Sequence, residues 1–216
     1  MHIFYAFIIG YLLGSIPTAY WLGLIFYKCN VFEKGSKNMG ATNVYRVLGT
    51  LPFAITLLGD ILKGMAAVLL TARLLPYPSA VFTAAAASLI GHTLSFWVKF
   101  KGGKGVATGL GVFLALATRA SVASLIVFGV TLISSKMVSL SSIFAALSLP
   151  LFIFYFQELG TYNTHLLTFA AVVAIFVVFK HKANISRIIS GTEAKLGQKA
   201  EITKTENEQQ ESGDSK

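Results

Sequence analysis

The sequence predicts a bundle of membrane-spanning α-helices, and three observations support this prediction. Hydrophobic residues make up 55% of the chain and charged residues only 12%, whereas soluble domains carry about 25% charged residues. The apolar residues form long runs, and lipid admits only helices or closed barrels as spanning structures. The strands of a barrel alternate apolar and polar residues, whereas these runs are continuously apolar. We therefore predict an all-α integral membrane protein.

Seven apolar segments are candidate spans, because about 20 apolar residues cross a bilayer. They are residues 3–27, 51–72, 79–98, 106–118, 120–134, 140–157 and 166–179. The first lacks a positively charged start and is too long for the apolar part of a cleaved signal peptide, so we interpret it as a span. The fourth and fifth are short and meet at Thr118 and Arg119, so they are either two spans or one long helix.

The distribution of Lys and Arg favours seven spans, since cytoplasmic loops of membrane proteins collect these residues. With the N-terminus outside, the first, third and fifth loops and the tail hold nearly all the cations, and the outer loops hold only Arg73 and Arg119. Fusing the fourth and fifth spans would place Arg119 in lipid and remove this asymmetry. We predict seven transmembrane helices within residues 1–197, with the C-terminus cytoplasmic. Residues 198–216 are polar and are predicted to form a disordered cytoplasmic tail.

Three polar stretches interrupt the apolar pattern with Gly, Ser, Thr, Asn and cations. They are residues 34–46, 100–108 and 181–195, and the predicted topology puts all three on the cytoplasmic face. Backbone N–H groups near glycines, and helix N-termini, bind anions. Topology alone requires Lys and Arg, but it does not require the side-chain amides and hydroxyls beside them. The residues therefore predict a phosphorylated ligand at the inner membrane surface.

Other candidate sites are weaker. The GGKG run is not a P-loop, and neither an HExxH motif nor a Cys/His cluster suggests zinc. The single Cys29 cannot form an internal disulfide, and no Gly-x-Ser-x-Gly nucleophile motif occurs. Asp60 and Lys63 share one face of the second span. Charges inside a membrane are functional candidates by default; the alternative is a pair that orients the helix. His92 in the third span is likewise either a functional residue or a packed, hydrogen-bonded one.

Together these stretches resemble one family, the bacterial acyl-phosphate:glycerol-3-phosphate acyltransferases (the PlsY family). The resemblance covers residues 1–195 and is carried by residues 13–17 (LGSIP), 35–46 (GSKNMGATNVYR), 60–64 (DILKG), 91–92 (GH), 100–108 (FKGGKGVAT), 138–140 (VSL), 181–187 (HKANISR) and 191–193 (GTE). One departure is Lys37, which stands where the family pattern has Gly.

The resemblance implies a seven-helix enzyme of the bacterial cytoplasmic membrane with its active site on the cytoplasmic face. It implies transfer of a fatty acyl group from acyl phosphate to the sn-1 hydroxyl of glycerol 3-phosphate, giving lysophosphatidic acid and phosphate, the first acylation step of phospholipid biosynthesis. The implied partners are these two substrates, membrane lipid and the soluble enzyme that makes acyl phosphate. We expect no cofactor, no metal and no nucleic acid.

The motifs and their chemistry also predict site residues. The candidate catalytic residues are Ser36 and Thr42, near the reacting carbonyl and hydroxyl, and His181. The candidate substrate-binding residues are Asn38, Gly40, Asn43, Arg46, Lys101, Gly102, Gly103, Lys104, Ser139 and Asn184. Lys101 and Lys104, with the two glycine amides between them, are predicted to hold one phosphate. Arg46, Asn43 and Ser139 are predicted to place the other. The general base is either His181 or a phosphate oxygen of the substrate.

Two other functional classes remain open. A transporter or channel for a small phosphorylated anion would also use cations on the inner face. Such a protein should carry its polar residues near the membrane midplane on broken helices, whereas these polar stretches lie at the cytoplasmic ends of the spans. A purely structural membrane scaffold would leave the Asn- and Thr-rich loops unexplained.

Overall fold

Every predicted span contains a helix in the computed structural model, which describes residues 1–156 and 163–197. The described helices are α1 (His2–Ser15), α2 (Thr18–Tyr27), α3 (Ala41–Leu48), α4 (Thr50–Leu74), α5 (Pro78–Thr93), a 3-10 turn (Phe96–Val98), α6 (Val106–Leu116), α7 (Thr118–Ser135), α8 (Val138–Phe156), α9 (Asn163–Lys180) and α10 (Lys182–Ile189). The all-α prediction is confirmed. Position 157, the predicted end of the sixth span, and the predicted tail at 198–216 lie outside the described residues.

Five segments are long and apolar enough to cross a membrane: His2–Tyr27, Thr50–Leu74, Pro78–Val98, Thr118–Ser135 and Val138–Phe156. A sixth is present if α9 and α10, which meet at a bend of 59°, are taken together. Helix α6 is apolar but has only 11 residues. The described residues therefore contain five or six candidate spans, and the count of seven stays a prediction.

Two breaks decide how the helices are divided. The first span is interrupted at Pro17, whose ring and missing N–H prevent the helix from continuing. The carbonyl of Ile16, beside this break, accepts a hydrogen bond from Lys63 Nζ at 2.8 Å. The fourth and fifth predicted segments are separated at Ala117, where φ is −149° and ψ is 70°. They are two helices, as the charge distribution predicted.

Close packing of α1 against α5 depends on small residues. A Cβ added to Gly10 would meet the backbone of Ala84, and one added to Gly14 would meet the backbone of Ser88. The two helices can therefore approach until their backbones touch, which is the packing expected of a GxxxG pair. A separate apolar core includes Phe113 and further residues of α4 to α9.

The three polar stretches meet at one end of the bundle. Arg46 of α3 reaches the carbonyl of Ala194, Lys104 before α6 reaches Asn184 of α10, and Ser139 at the start of α8 reaches Glu193. This convergence follows from alternating helix direction, because the ends of α2, α5, α7 and α9 then lie beside the starts of α4, α6 and α8.

Candidate functional site

The carboxylate of Glu193 is the centre of the polar cluster. It is only 6% exposed. Its Oε1 accepts hydrogen bonds from Ser139 Oγ at 2.7 Å and Asn184 Nδ2 at 2.6 Å, and its Oε2 accepts one from Arg187 Nε at 2.7 Å. Burial favours the neutral acid, but the hydrogen bonds from these three residues outweigh it and lower the pKa of Glu193. The site therefore contains one ionised carboxylate.

Lys104 joins this cluster through Asn184. Its Nζ donates to Asn184 Oδ1 at 2.5 Å, so the amide bridges the ammonium and the Glu193 carboxylate. Burial is the main reason that the pKa of Lys104 falls to about 8, and the charges of Arg187 and Arg46 lower it further against the attraction of Glu193. The ammonium is therefore mostly charged at neutral pH, although it loses its proton more easily than an exposed lysine.

Arg46 is the third cation of the cluster. Its Nη2 lies 3.4 Å from the Ala194 carbonyl, and Glu193 and Arg187 both act on it electrostatically. Burial lowers the pKa of Arg46, and the Glu193 carboxylate opposes that change. Arg46, Lys104 and Arg187 thus surround one carboxylate and leave an excess of positive charge. Such an arrangement binds a phosphate group through charge-assisted hydrogen bonds.

His181 lies between α9 and α10, beside these cations. It is 2% exposed, and its Nδ1 donates to the Val177 carbonyl at 2.7 Å. Burial and the charge of Lys104 lower the pKa of His181 to about 4. The imidazole is consequently neutral at physiological pH, and its Nε2 carries a lone pair that can accept a proton.

The loop before α3 is held by Asn43. Its Oδ1 accepts the Ser36 backbone N–H at 2.7 Å, and its Nδ2 donates to the Val31 and Lys34 carbonyls at 2.9 and 3.2 Å. Its buried amide therefore positions Ser36, whose own side chain is exposed. The Asn43 side-chain amide therefore holds the conformation of the loop through its hydrogen bonds to the backbone.

The rest of this loop is formed by local contacts. The Gly40 N–H donates to Asn38 Oδ1 at 2.9 Å, a turn that leads into α3. Thr42 is half-buried and stands one turn before Arg46 on the same helix face. Lys37 has a φ of +54°, a left-handed conformation that glycine adopts without steric cost. The backbone at this position thus suits the Gly that the resemblance led us to expect there.

In the phosphate nest predicted at residues 101–104, one of the two glycine amides is already hydrogen-bonded within the protein. The Gly103 N–H already donates to the His92 carbonyl at 3.2 Å. Lys101 is exposed and lines a cavity of about 400 Å³ whose other walls are Tyr20, Asn30, Phe32, Glu33, Trp97, Val98 and Lys99. Lys101 and Lys104 therefore have different neighbours, and Lys104 is the one that joins the Glu193 cluster.

A second buried polar group lies deeper in the bundle. Asp60 Oδ1 is 2.8 Å from Lys63 Nζ and accepts a hydrogen bond from Thr18 Oγ1 at 3.2 Å. Both members of the Asp60–Lys63 pair are at least 95% buried, so the predicted pairing forms. Within residues 1–156 and 163–197, no group of three or more His, Cys, Asp or Glu side chains could hold a metal ion.

Sequence reasoning gave no role to Glu193 or Arg187. The signal was present: Glu193 is a carboxylate in an otherwise basic segment, six residues after Arg187. A carboxylate in such a segment has cations beside it, and one that becomes buried must be paired. Ser139, Asn184, Lys104 and Arg46, which were predicted, all converge around it or its immediate neighbours.

Comparisons with known proteins give matches along most of the chain. Residues 4–191 match the family model described as glycerol-3-phosphate acyltransferase. A glycerol-3-phosphate acyltransferase of Desulforamulus reducens is 44% identical over 193 residues, which cover 89% of this chain and 94% of that protein. One of Endomicrobium trichonymphae is 43% identical over 189 residues, which cover 88% of this chain and 93% of that protein.

Solved structures show the same fold. The crystal structure of PlsY (YgiH), an integral membrane glycerol 3-phosphate acyltransferase, in its glycerol 3-phosphate form superposes with a TM-score of 0.82 at 33% identity, covering 91% of this chain and 96% of that one. Its lysophosphatidic acid form superposes with a TM-score of 0.80 at 33% identity and the same coverage.

Proposed function

Because the chain belongs to the glycerol-3-phosphate acyltransferase family, and is therefore an integral membrane acyltransferase, we propose that its donor is a fatty acyl phosphate and its acceptor the sn-1 hydroxyl of glycerol 3-phosphate. The products are lysophosphatidic acid and inorganic phosphate. The observation that carries this proposal is the cluster of Arg46, Lys104 and Arg187 around the buried Glu193 carboxylate. Both proposed substrates carry phosphate, and this cluster has positive charge to spare for an anion.

The reaction is a direct acyl transfer. The acceptor oxygen attacks the carbonyl carbon of the acyl phosphate, a new ester C–O bond forms, and the C–O bond to phosphate breaks as phosphate leaves with its bonding electrons. An acyl phosphate is already activated, so positioning and charge stabilisation supply most of the rate enhancement. Arg46 and Lys104 bind phosphate oxygens in this scheme, and Ser36 and Thr42 lie near the reacting groups.

The hydroxyl proton is taken by a phosphate oxygen of a substrate. A phosphate monoester has its second pKa near about 6, whereas the pKa of His181 is lowered to about 4 by burial and by the charge of Lys104. The phosphate dianion is therefore the stronger base. His181 and Asn184 line the C-terminal side of the pocket in this proposal, and Ser139 orients the Glu193 carboxylate.

The proposed topology has seven spans, with α6 as a short one, the N-terminus outside and the C-terminus cytoplasmic. The membrane is the bacterial cytoplasmic membrane, and the site faces the cytoplasm, where a soluble enzyme supplies acyl phosphate. This topology is supported by Lys34, Lys101, Lys136 and Lys180, which follow or precede helix ends on the side of the Glu193 cluster, as cytoplasmic cations do.

The test is a donor comparison with the purified protein in detergent or lipid. Acyl phosphate or acyl-CoA is supplied with radiolabelled glycerol 3-phosphate, without added metal and with a chelator present, and labelled lysophosphatidate is measured. We expect product from acyl phosphate alone. Product from acyl-CoA alone would overturn the donor assignment, and product from neither, with the protein shown to be folded, would overturn the acyltransferase mechanism.

Activity should fall at alkaline pH because the site needs the charged form of Lys104. The pKa of Lys104 is lowered to about 8, mainly by burial, so the ammonium loses its charge as the pH rises through that value. We expect kcat/KM for glycerol 3-phosphate to fall by about tenfold per pH unit above this pKa. The Lys104→Arg variant should move this decline upward, because a guanidinium stays charged. An identical profile for both proteins would show that another group titrates.

A further inference from the structure

His92 contacts the chain on both sides of Lys104. Its backbone carbonyl accepts the Gly103 N–H at 3.2 Å. Its imidazole Nδ1 lies 3.0 Å from Thr108 Oγ1, in the first turn of α6. His92 is 2% exposed and Thr108 is fully buried. One residue of α5 therefore fixes the loop just before Lys104 and the helix just after it.

The glycines of the loop fit closely against this residue. A Cβ added to Gly103 would meet the His92 imidazole, with Nε2 as the nearest atom. A Cβ added to Gly102 would instead meet the His92 carbonyl oxygen and the backbone of Thr93. The two positions are thus limited by different parts of α5, a side chain in one case and the backbone in the other.

The His92 side chain lies beside the buried Asp60–Lys63 pair. Its Nδ1 is 3.8 Å from Asp60 Oδ1, and Asp60 is paired with Lys63. Lys63 donates in turn to the Ile16 carbonyl at the break between α1 and α2. The loop that carries Lys104 is therefore supported by a continuous set of polar contacts that reaches across α5, α4 and α1.

We propose that His92 and Thr108 are positioning residues that fix the backbone of Lys104 and thereby set the affinity for the phosphate of glycerol 3-phosphate. The proposal rests on the function proposed above. Lys104 has a long flexible side chain, so an anchored backbone on both sides reduces the ordering that substrate binding requires. Residues that support a binding group in this way act through geometry and do not contact the substrate. Loss of this support should raise KM more than it lowers kcat.

The first experiment is a pair of double-mutant cycles measured as KM for glycerol 3-phosphate. Gly103→Ala and Gly102→Ala are each made alone and together with His92→Ala. Removing the imidazole removes the atoms that the new Cβ at position 103 would meet. The fold-increase in KM of the double variant should therefore be well below the product of the two single fold-increases. At position 102 the obstacle is backbone, and the effects should multiply. Equal coupling at both positions, or none at position 103, would overturn the proposal.

Thr108 provides a second measurement that does not depend on how the glycine variants fold. Thr108→Val removes the hydroxyl at nearly constant volume, and we expect a roughly three- to tenfold higher KM with a much smaller change in kcat, the range of a single hydrogen bond. Thr108→Ser should restore the KM. Thr118→Val, at the exposed start of α7, is the matched control and should leave KM unchanged. A Thr108→Val protein with normal KM, or with only lower kcat and thermal stability, contradicts the positioning role.

Binding of glycerol 3-phosphate, followed as the rise in unfolding temperature, separates this proposal from the proposed function. This measurement needs no acyl donor. Weaker binding by Thr108→Val than by Thr108→Ser supports the positioning role even if acyl phosphate proves to be the wrong donor. Equal binding by the two variants overturns it even if the donor assignment is right.

Discussion

Replacing Lys104 with methionine should reduce kcat/KM for glycerol 3-phosphate by at least about 100-fold, the usual cost of removing one positioned donor from a site where charge develops. Methionine keeps most of the side-chain volume but has no ammonium. The variant therefore loses the donor to Asn184 and the positive charge beside Arg46 and Arg187. Initial rates at varied concentrations of both substrates would measure the loss, with thermal unfolding to confirm that the variant is folded.

Three further variants serve as a control and as comparisons for Lys104→Met. Lys182→Met removes an exposed cation of α10 that lies over the Phe179 ring at 5.3 Å, and its activity should stay within about twofold of the wild type, as for most surface changes. Lys101→Met should cost less than Lys104→Met, because Lys101 is exposed and lines the other cavity. His181→Ala should retain much of the turnover if a phosphate oxygen takes the proton. A larger loss at Lys101 or at His181 than at Lys104 would contradict the assigned roles.

Replacing Asp60 with leucine should be among the most destabilising single changes in the protein. It leaves the ammonium of Lys63 buried in the bundle without its carboxylate, and breaking a buried pair in this way costs about 3–5 kcal/mol. For a chain of this size that corresponds to a fall in Tm of roughly 6–20 °C. Thermal unfolding of the purified protein in one fixed detergent would measure it.

The matched control removes both charges. Asp60→Leu combined with Lys63→Met leaves no unpaired charge, and apolar replacements of a buried pair are often neutral. We expect the double variant to recover most of the lost Tm, although Thr18 and the Ile16 carbonyl lose their partners. A double variant that is as unstable as Asp60→Leu would show that the pair itself, and not the unpaired charge, determines the stability.

Most of the candidate spans could be predicted because each is a long apolar run, and the separation of the short helix α6 from α7 followed from the position of Arg119. The short helices α3 and α10 could not be predicted in the same way. Each has eight residues and a polar face, so neither the length nor the hydropathy of a span applies to them. The break at Pro17 was visible as a proline, but the lysine that satisfies the freed carbonyl comes from a different helix.

Part of the site was also within reach of the sequence. Lys104, Arg46, Ser139 and Asn184 were predicted and converge around Glu193. The role of Glu193 depends on burial between α8 and α10, which only the tertiary fold defines. For Asn43, residue type alone could not decide between contacting a ligand and bonding to the local backbone, because asparagine does both.

Under the proposed topology, the shortness of α6 sets the depth at which the proposed reaction takes place. Its 11 residues rise about 16 Å, roughly half of the 30 Å hydrocarbon thickness. Arg119, three residues beyond the end of α6 at Leu116, is exposed and marks the opposite interface in the proposed topology. In the proposed topology Lys104 therefore lies below the level of the cytoplasmic surface, and irregular backbone at such depth must line an aqueous recess. The proposed acyl donor can react there while its acyl chain stays among the lipid chains, and the product can diffuse laterally into the bilayer without passing through water.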